Sequence, residues 1–187
     1  MGTRAEEGRG QRAQPGSTPA RQTGMMSSFS TRGGMPELSA TDESFLRLAY
    51  EEALSGFNEG GCPIGSALAE GARLVARGRN QRVQQGDPIA HGEMDCLRKA
   101  GRQKSYRRMT LYTTLSPCMM CTGTIIQFRI PRVIIGEAET FAGNPDLLRA
   151  HGVEVIIVGD PDCIALMRLF IAGNPQLWNE DIMEEDA

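Results

Sequence analysis

The residues that most restrict this chain are two short clusters. His91-Gly92-Glu93 lies about 25 residues before Pro117-Cys118-Met119-Met120-Cys121. Cysteines three apart on a helix share one face, and a pair in the first turn has backbone N–H groups beside it that stabilise negative sulfur. Such a pair alone is compatible with a redox site, half a metal site or two core thiols. The chain has just two histidines, and one of them precedes a glutamate at the expected start of a helix. One imidazole and two thiolates suit zinc, and three protein ligands leave a fourth position for water. His151, Cys62 and Cys96 are the candidates for a closed fourth position, but none has the usual close spacing. Cys96 is expected to turn into the core, and Cys163 to pack there.

The intervening pattern predicts the architecture. A helix is expected from near Ser39, capped by Thr41-Asp42-Glu43 and ending around Phe57–Gly60, with Phe45, Leu48, Ala49, Ala53 and Leu54 at helical spacing. Ile64–Ala69 and Leu74–Arg79 form a β-hairpin over Glu70-Gly71, and Gln81–Ile89 is a loop. A helix over Ala90–Gln103 and a strand over Met109–Thr114 follow. Pro117 opens the next helix as its first residue, which runs to about Phe128, and Met119-Met120 supply one core residue and one near the site. Val133–Gly136 is a strand, Leu147–Ala150 a helical piece and Val153–Val158 a strand covered on both faces. Cys163–Ala172 and Leu177–Glu185 are the closing helices. Helix, hairpin, then alternating helix and strand argue for one three-layer α/β/α sandwich around a mixed five-stranded sheet, its last strands parallel.

Composition excludes several classes. A formal net charge of -3 provides no general attraction to nucleic acid or anionic membranes. Arg102, Lys104, Arg107 and Arg108 read as a solvated loop. Five cysteines spread through 187 residues do not read as a disulfide framework, which favours a reducing, cytoplasmic setting. No apolar run reaches the ~18 residues of a membrane span. Residues 1–36, rich in Gly, Arg, Ser, Gln and Pro, read as a disordered extension, and residues 37–187 as the catalytic domain.

With these residues in view, the sequence resembles the cytidine deaminase-like superfamily, whose zinc nucleobase deaminases carry H-x-E…P-C-x-x-C, and is most similar to its fungal-type cytosine deaminase branch. The resemblance spans Phe45–Ile182. It includes Gly60-Gly61-Cys62-Pro63-Ile64-Gly65, Gly78-Arg79-Asn80, Leu111–Cys118, Cys121-Thr122-Gly123 and Trp178-Asn179-Glu180-Asp181-Ile182. It implies one Zn2+ per subunit on His91, Cys118 and Cys121, with Glu93 shuttling protons during hydrolytic deamination of free cytosine to uracil and ammonia. It further implies that Asn80 and the Gly92 N–H meet the O2 side of the base. The Ser116 carbonyl and Asp181 would receive the amine, Phe141 and Trp178 would close the pocket, and Ile64 would line it. A homodimer acting on a small-molecule substrate, without nucleic acid or membrane, is the implied assembly. Asn179 stands where the fungal branch has an aromatic residue, which leaves isocytosine, guanine, creatinine or a triazine as alternative substrates. A non-catalytic zinc-stabilised binding protein, or a thiol redox protein using Cys118 and Cys121, are the readings from other classes.

Overall fold

The computed structural model describes residues 37–184; the expected extension 1–36 and the end of the last expected helix at Glu185 lie outside them. Helix α1 (Ala40–Asn58) is capped by Ser39, whose hydroxyl accepts the Asp42 N–H at 3.1 Å, so the cap lies just ahead of the expected Thr41-Asp42-Glu43. Strands β1 (Gly65–Glu70) and β2 (Arg73–Arg79) make the expected hairpin. Next come α2 (Arg82–Gln85), α3 (Gly92–Ala100), β3 (Met109–Leu115), α4 (Met119–Phe128), β4 (Arg132–Glu137), α5 (Pro145–Ala150), β5 (Glu154–Ile157), α6 (Pro161–Gly173) and α7 (Pro175–Ile182).

The sheet order is β2-β1-β3-β4-β5. β1 runs antiparallel to both neighbours, while β3, β4 and β5 are parallel. Side chains alternate across the sheet with the strand period of two. Leu68, Leu111, Val133 and Ile135 point to one face, where Leu97 of α3, Ile125 of α4 and Leu148 of α5 cover them. Ala67, Ala69, Tyr112 and Ile134 point to the other, against Phe45, Leu46 and Ala49 of α1. A third cluster at one end joins Ile64 and Leu115 to Phe170 of α6 and Trp178 of α7. The result is the expected three-layer sandwich.

Three sequence expectations are corrected. Gln81–Ile89 is not wholly loop: one helical turn, α2, closes on Gly86 at φ 61°. β5 is not covered on both faces. It is the edge strand and only half-buried, although Ile156 leans on one cluster and Val155 and Ile157 on the other. An apolar run identifies a strand but not its number of neighbours. Third, Met119 and Met120 supply no core residue; Met119 is exposed and Met120 half-buried, because the helix turns that face outward. Cys96 and Cys163 are buried as expected, and the basic run Arg102–Arg108 lies in an exposed stretch between α3 and β3.

Layers are tied together by Asp42. Arg132 at the start of β4 grips its carboxylate with two nitrogens, at 2.7 and 3.1 Å, and the Tyr112 hydroxyl donates to it at 2.8 Å. The Arg132 bond foremost, helped by Tyr112 and Ser39, outweighs burial and holds the carboxyl down at about 2. A folded-state pKa below the unfolded value stabilises the fold above the unfolded pKa and stops doing so as pH falls through the folded one. This link is worth about 2 kcal/mol at neutral pH. Asp42→Asn is therefore expected to lower stability to urea by about that amount at pH 7, with the gap from the parent protein closing between about pH 5 and pH 2. A gap independent of pH would contradict it.

Candidate active site

Two helix N-termini meet at the carboxyl end of β3, the side of an α/β sheet where ligands bind. β3 continues through Ser116-Pro117 into Cys118, the extended N-cap of α4 (φ -67°, ψ 175°). Pro117 is thus not the first helical residue, as the sequence suggested. It lies in the extended approach, which lets Cys118 itself take the cap position. Cys121 follows in the first turn and is buried. His91 is likewise the extended N-cap of α3 (φ -67°, ψ 162°). Its Nδ1 lies 3.5 Å from the Cys118 sulfur, and one donor atom from each of His91, Cys118 and Cys121 lies within 4.8 Å of the others.

These residues fit a zinc ion. Zn–S bonds of ~2.3 Å and a Zn–N bond of ~2.0 Å in a tetrahedron require donors about 3.5–3.8 Å apart, within the spread available here. Neither Cys62, Cys96 nor His151 belongs to the cluster; His151 is exposed at the end of α5, with its Nδ1 against the Leu147 carbonyl. A hydrogen bond from the Cys121 side chain, aided by His91 and opposed by burial, brings the Cys118 thiol down to about 4. The same bond, with burial, drives Cys121 upward. Cys118 is therefore a ready thiolate, and binding of a cation is what draws the second proton off. All five cysteines are free of disulfides.

Glu93, the second residue of α3, is 3% exposed. Burial, reinforced by the negative charge at Cys118, raises its carboxyl to about 7. Such a group can both accept and release a proton near neutrality. Gly92 lets the helix start this close to the sheet, since a Cβ there would stand 2.7 Å from the Ile64 carbonyl oxygen.

The walls close over these groups to leave a cavity of about 20 Å³. Of the residues singled out in the sequence, Ile64, His91, Glu93, Ser116, Cys118, Phe141, Trp178 and Asp181 line it. Phe141 meets Trp178 edge-on, ring centroids 6.0 Å apart. Leu115 and Ile182 also line the cavity without having been assigned a role; Ile182 lies one turn of α7 beyond Trp178, a spacing that could have revealed it. Asn80 and Gly92 sit behind this lining rather than in it. Asn80 is fully buried, and its amide is engaged at both ends: Nδ2 donates to Asp181 Oδ1 at 2.8 Å and Oδ1 accepts the Arg82 N–H at 3.0 Å. Asn179 is half-buried on α7 and outside the lining. The loop bearing Phe141 is tethered by Glu137, whose carboxylate accepts the N–H groups of Glu139 and Thr140 at 2.6 and 3.0 Å. Gly143 in that loop has φ 58°, and a Cβ there would come 2.3 Å from the Ser116 hydroxyl.

This is the fold and metal centre of a zinc-dependent deaminase. Residues 39–137 match the cytidine and deoxycytidylate deaminase zinc-binding region, and the chain belongs to that family. It is 46% identical to the cytosine deaminase of Candida albicans over 146 residues, 76% of this chain and 97% of that enzyme. It is 41% identical to a tRNA-specific adenosine deaminase of Buchnera aphidicola over 100 residues, 52% of this chain and 66% of that enzyme. The guanine deaminase of Nitrosomonas europaea shares the fold, with a TM-score of 0.60 at 20% identity over 75% of this chain and 89% of that one.

Two substitutions test the site's construction. Cys121→Ser is expected to reduce bound zinc, measured by atomic absorption, to well below one ion per chain. Gly92→Ala is expected to lower thermal stability, because the backbone carbonyl at Ile64 must move; an unshifted melting curve would show that the close approach does not exist.

Proposed function

We propose that this chain hydrolyses free cytosine to uracil and ammonia, with residues 37–187 as the catalytic domain and 1–36 as an extension. The observation that carries this reading is identity spread along nearly the whole Candida albicans cytosine deaminase.

In this reading His91, Cys118 and Cys121 hold one zinc per subunit. Zinc in such a site makes water a nucleophile near neutral pH. Glu93 would take one proton of the attacking water and pass it to the ring nitrogen next to the attacked carbon, then take the second from the newly added hydroxyl and deliver it to the amine, so that ammonia leaves as the carbonyl forms. Its raised proton affinity suits both duties. The Ser116 carbonyl and Asp181 accept from the exocyclic amine. Asn80 retains one unused N–H and further acceptor capacity for the O2 side of the base, even with its present bonds, and the Gly92 N–H supplements it. Phe141 and Trp178 pack on the ring and Ile64 flanks it. A buried site of this kind rejects bases that leave its polar groups unpaired.

A non-catalytic zinc protein would have no use for a buried carboxyl such as Glu93 beside the metal. The homodimer is supported by a groove of about 720 Å³ on the outer face, where Ile89, Met119 and Phe128 are exposed; a second copy would cover them. Among the described residues no helix is long and apolar enough to cross a membrane. Five free thiols support a cytoplasmic setting.

The direct test is ammonia release by the zinc-loaded protein from cytosine, isocytosine, guanine, creatinine, aminotriazines and nucleosides. Cytosine should have the highest kcat/KM; inactivity on cytosine with turnover of another base would replace the substrate assignment. Glu93→Gln should keep one zinc per chain while kcat falls by about 10³-fold or more. Near-normal turnover by that variant would remove Glu93 from the mechanism.

A further inference from the structure

Arg82 belongs to the single helical turn that the sequence did not reveal. From α2 its Nη1 donates to Asp181 Oδ1 on α7 at 3.0 Å. Asn80 Nδ2 donates to the same oxygen at 2.8 Å, and the Arg82 backbone N–H donates to Asn80 Oδ1. The three residues form a closed ring of bonds. The backbone bond fixes which end of the Asn80 amide faces the carboxylate. The guanidinium then fixes the carboxylate itself. The Asp181 side chain is 5% exposed and that of Arg82 14%, so water does not readily substitute for either partner.

Arg82 does not line the catalytic cavity. It lines a neighbouring one of about 180 Å³ with Cys62, Glu180 and Asp181, whereas Asp181 lines both. The guanidinium thus reaches Asp181 from outside the site. Its Nε is buried without a hydrogen-bond partner. A buried unmet donor costs stability, so this arginine is not explained as the most stable filling of its space.

We propose that Arg82 is a positioning residue that sets substrate specificity by aiming Asp181. Two donors occupy Oδ1, which has two lone pairs, so Oδ2 is the oxygen for a further donor. The pairing fixes the carboxylate's rotation and directs that acceptor to the exocyclic amine of the base. This inference rests on the reading that Asp181 receives that amine. Residue 82 therefore affects recognition of the group that leaves, not the metal or the remainder of the ring.

The test compares Arg82→Met, Arg82→Lys, Asp181→Ala and the Arg82→Met/Asp181→Ala double variant in the zinc-loaded protein. Deamination of cytosine is followed, and binding of pyrimidin-2-one, which has the ring and O2 but no amine, is measured by calorimetry. Arg82→Met should lower kcat/KM for cytosine by about 10- to 100-fold, with pyrimidin-2-one affinity within about threefold of the parent. Arg82→Lys should recover part of the loss, since a lysine supplies charge without the fork that meets a carboxylate. The double variant should be no worse than Asp181→Ala. Equal losses for cytosine and pyrimidin-2-one, unchanged cytosine kinetics in Arg82→Met, or multiplying losses in the double variant would overturn the proposal. If Arg82→Met does not fold, Arg82→Lys decides on the same comparison of substrate with amine-free ring. Unchanged kinetics in Asp181→Ala would instead overturn the amine-binding reading of Asp181 on which the proposal stands.

Discussion

Two helices begin at the same point, and the chemistry of the molecule depends on that meeting. The first residues of an α-helix leave backbone N–H groups unpaired and positive. Here α3 and α4 direct those ends toward one another beyond β3, with His91 and Cys118 at the cap positions and Cys121 in the following turn. The positive ends favour the Cys118 thiolate, and two sulfurs with an imidazole make a donor set suited to a cation. Gly92 permits the approach because no side chain intervenes between α3 and the Ile64 carbonyl. Glu93 then has little choice of position: the residue after a glycine that packs against the chain entering β1 is carried inward beside the sulfurs.

The stabilising and reactive charges are kept apart. Asp42, Arg132 and Tyr112 join α1, β3 and β4 toward the amino-terminal end of the parallel strands, while the metal-binding and acid–base groups gather beyond the carboxyl end of β3. Asp42 is fully satisfied by strong donors and is held as a carboxylate. Glu93 is stripped of water, with the negative sulfur of Cys118 beside it, and its carboxyl is held up at about 7. The same side-chain chemistry is thus driven in opposite directions by its neighbours. Around the site, Glu137 secures the Phe141 loop and the Asn80–Arg82 turn secures α7, so the aromatic walls are positioned by buried polar bonds as well as by packing.

Much of this was readable from residue order. The layer order followed from alternating patterns, since β1, β3 and β4 carry side chains that must cover two faces, and the metal ligands followed from residue types at fixed spacing. Other features were hidden for physical reasons. Pro117 is compatible with either a helix or its extended approach, and only the backbone of Cys118 decides between them. The apolar run at 154–157 looks the same at an edge or in the middle of a sheet, because the number of neighbours is a property of chain return. Met119 and Met120 are apolar, but the face they occupy depends on how α4 is rotated over the sheet.

His91, Glu93, Cys118 and Cys121 were identifiable from sequence because metal coordination demands particular atoms, and few arrangements of two histidines and five cysteines supply them. Arg82 was not identifiable in that way. It is one of many arginines in a polar segment, and its partner Asp181 lies 99 positions away. Charge type is written locally, but which opposite charge it meets, and whether water is excluded from the pair, is decided only when α7 closes over the end of the sheet.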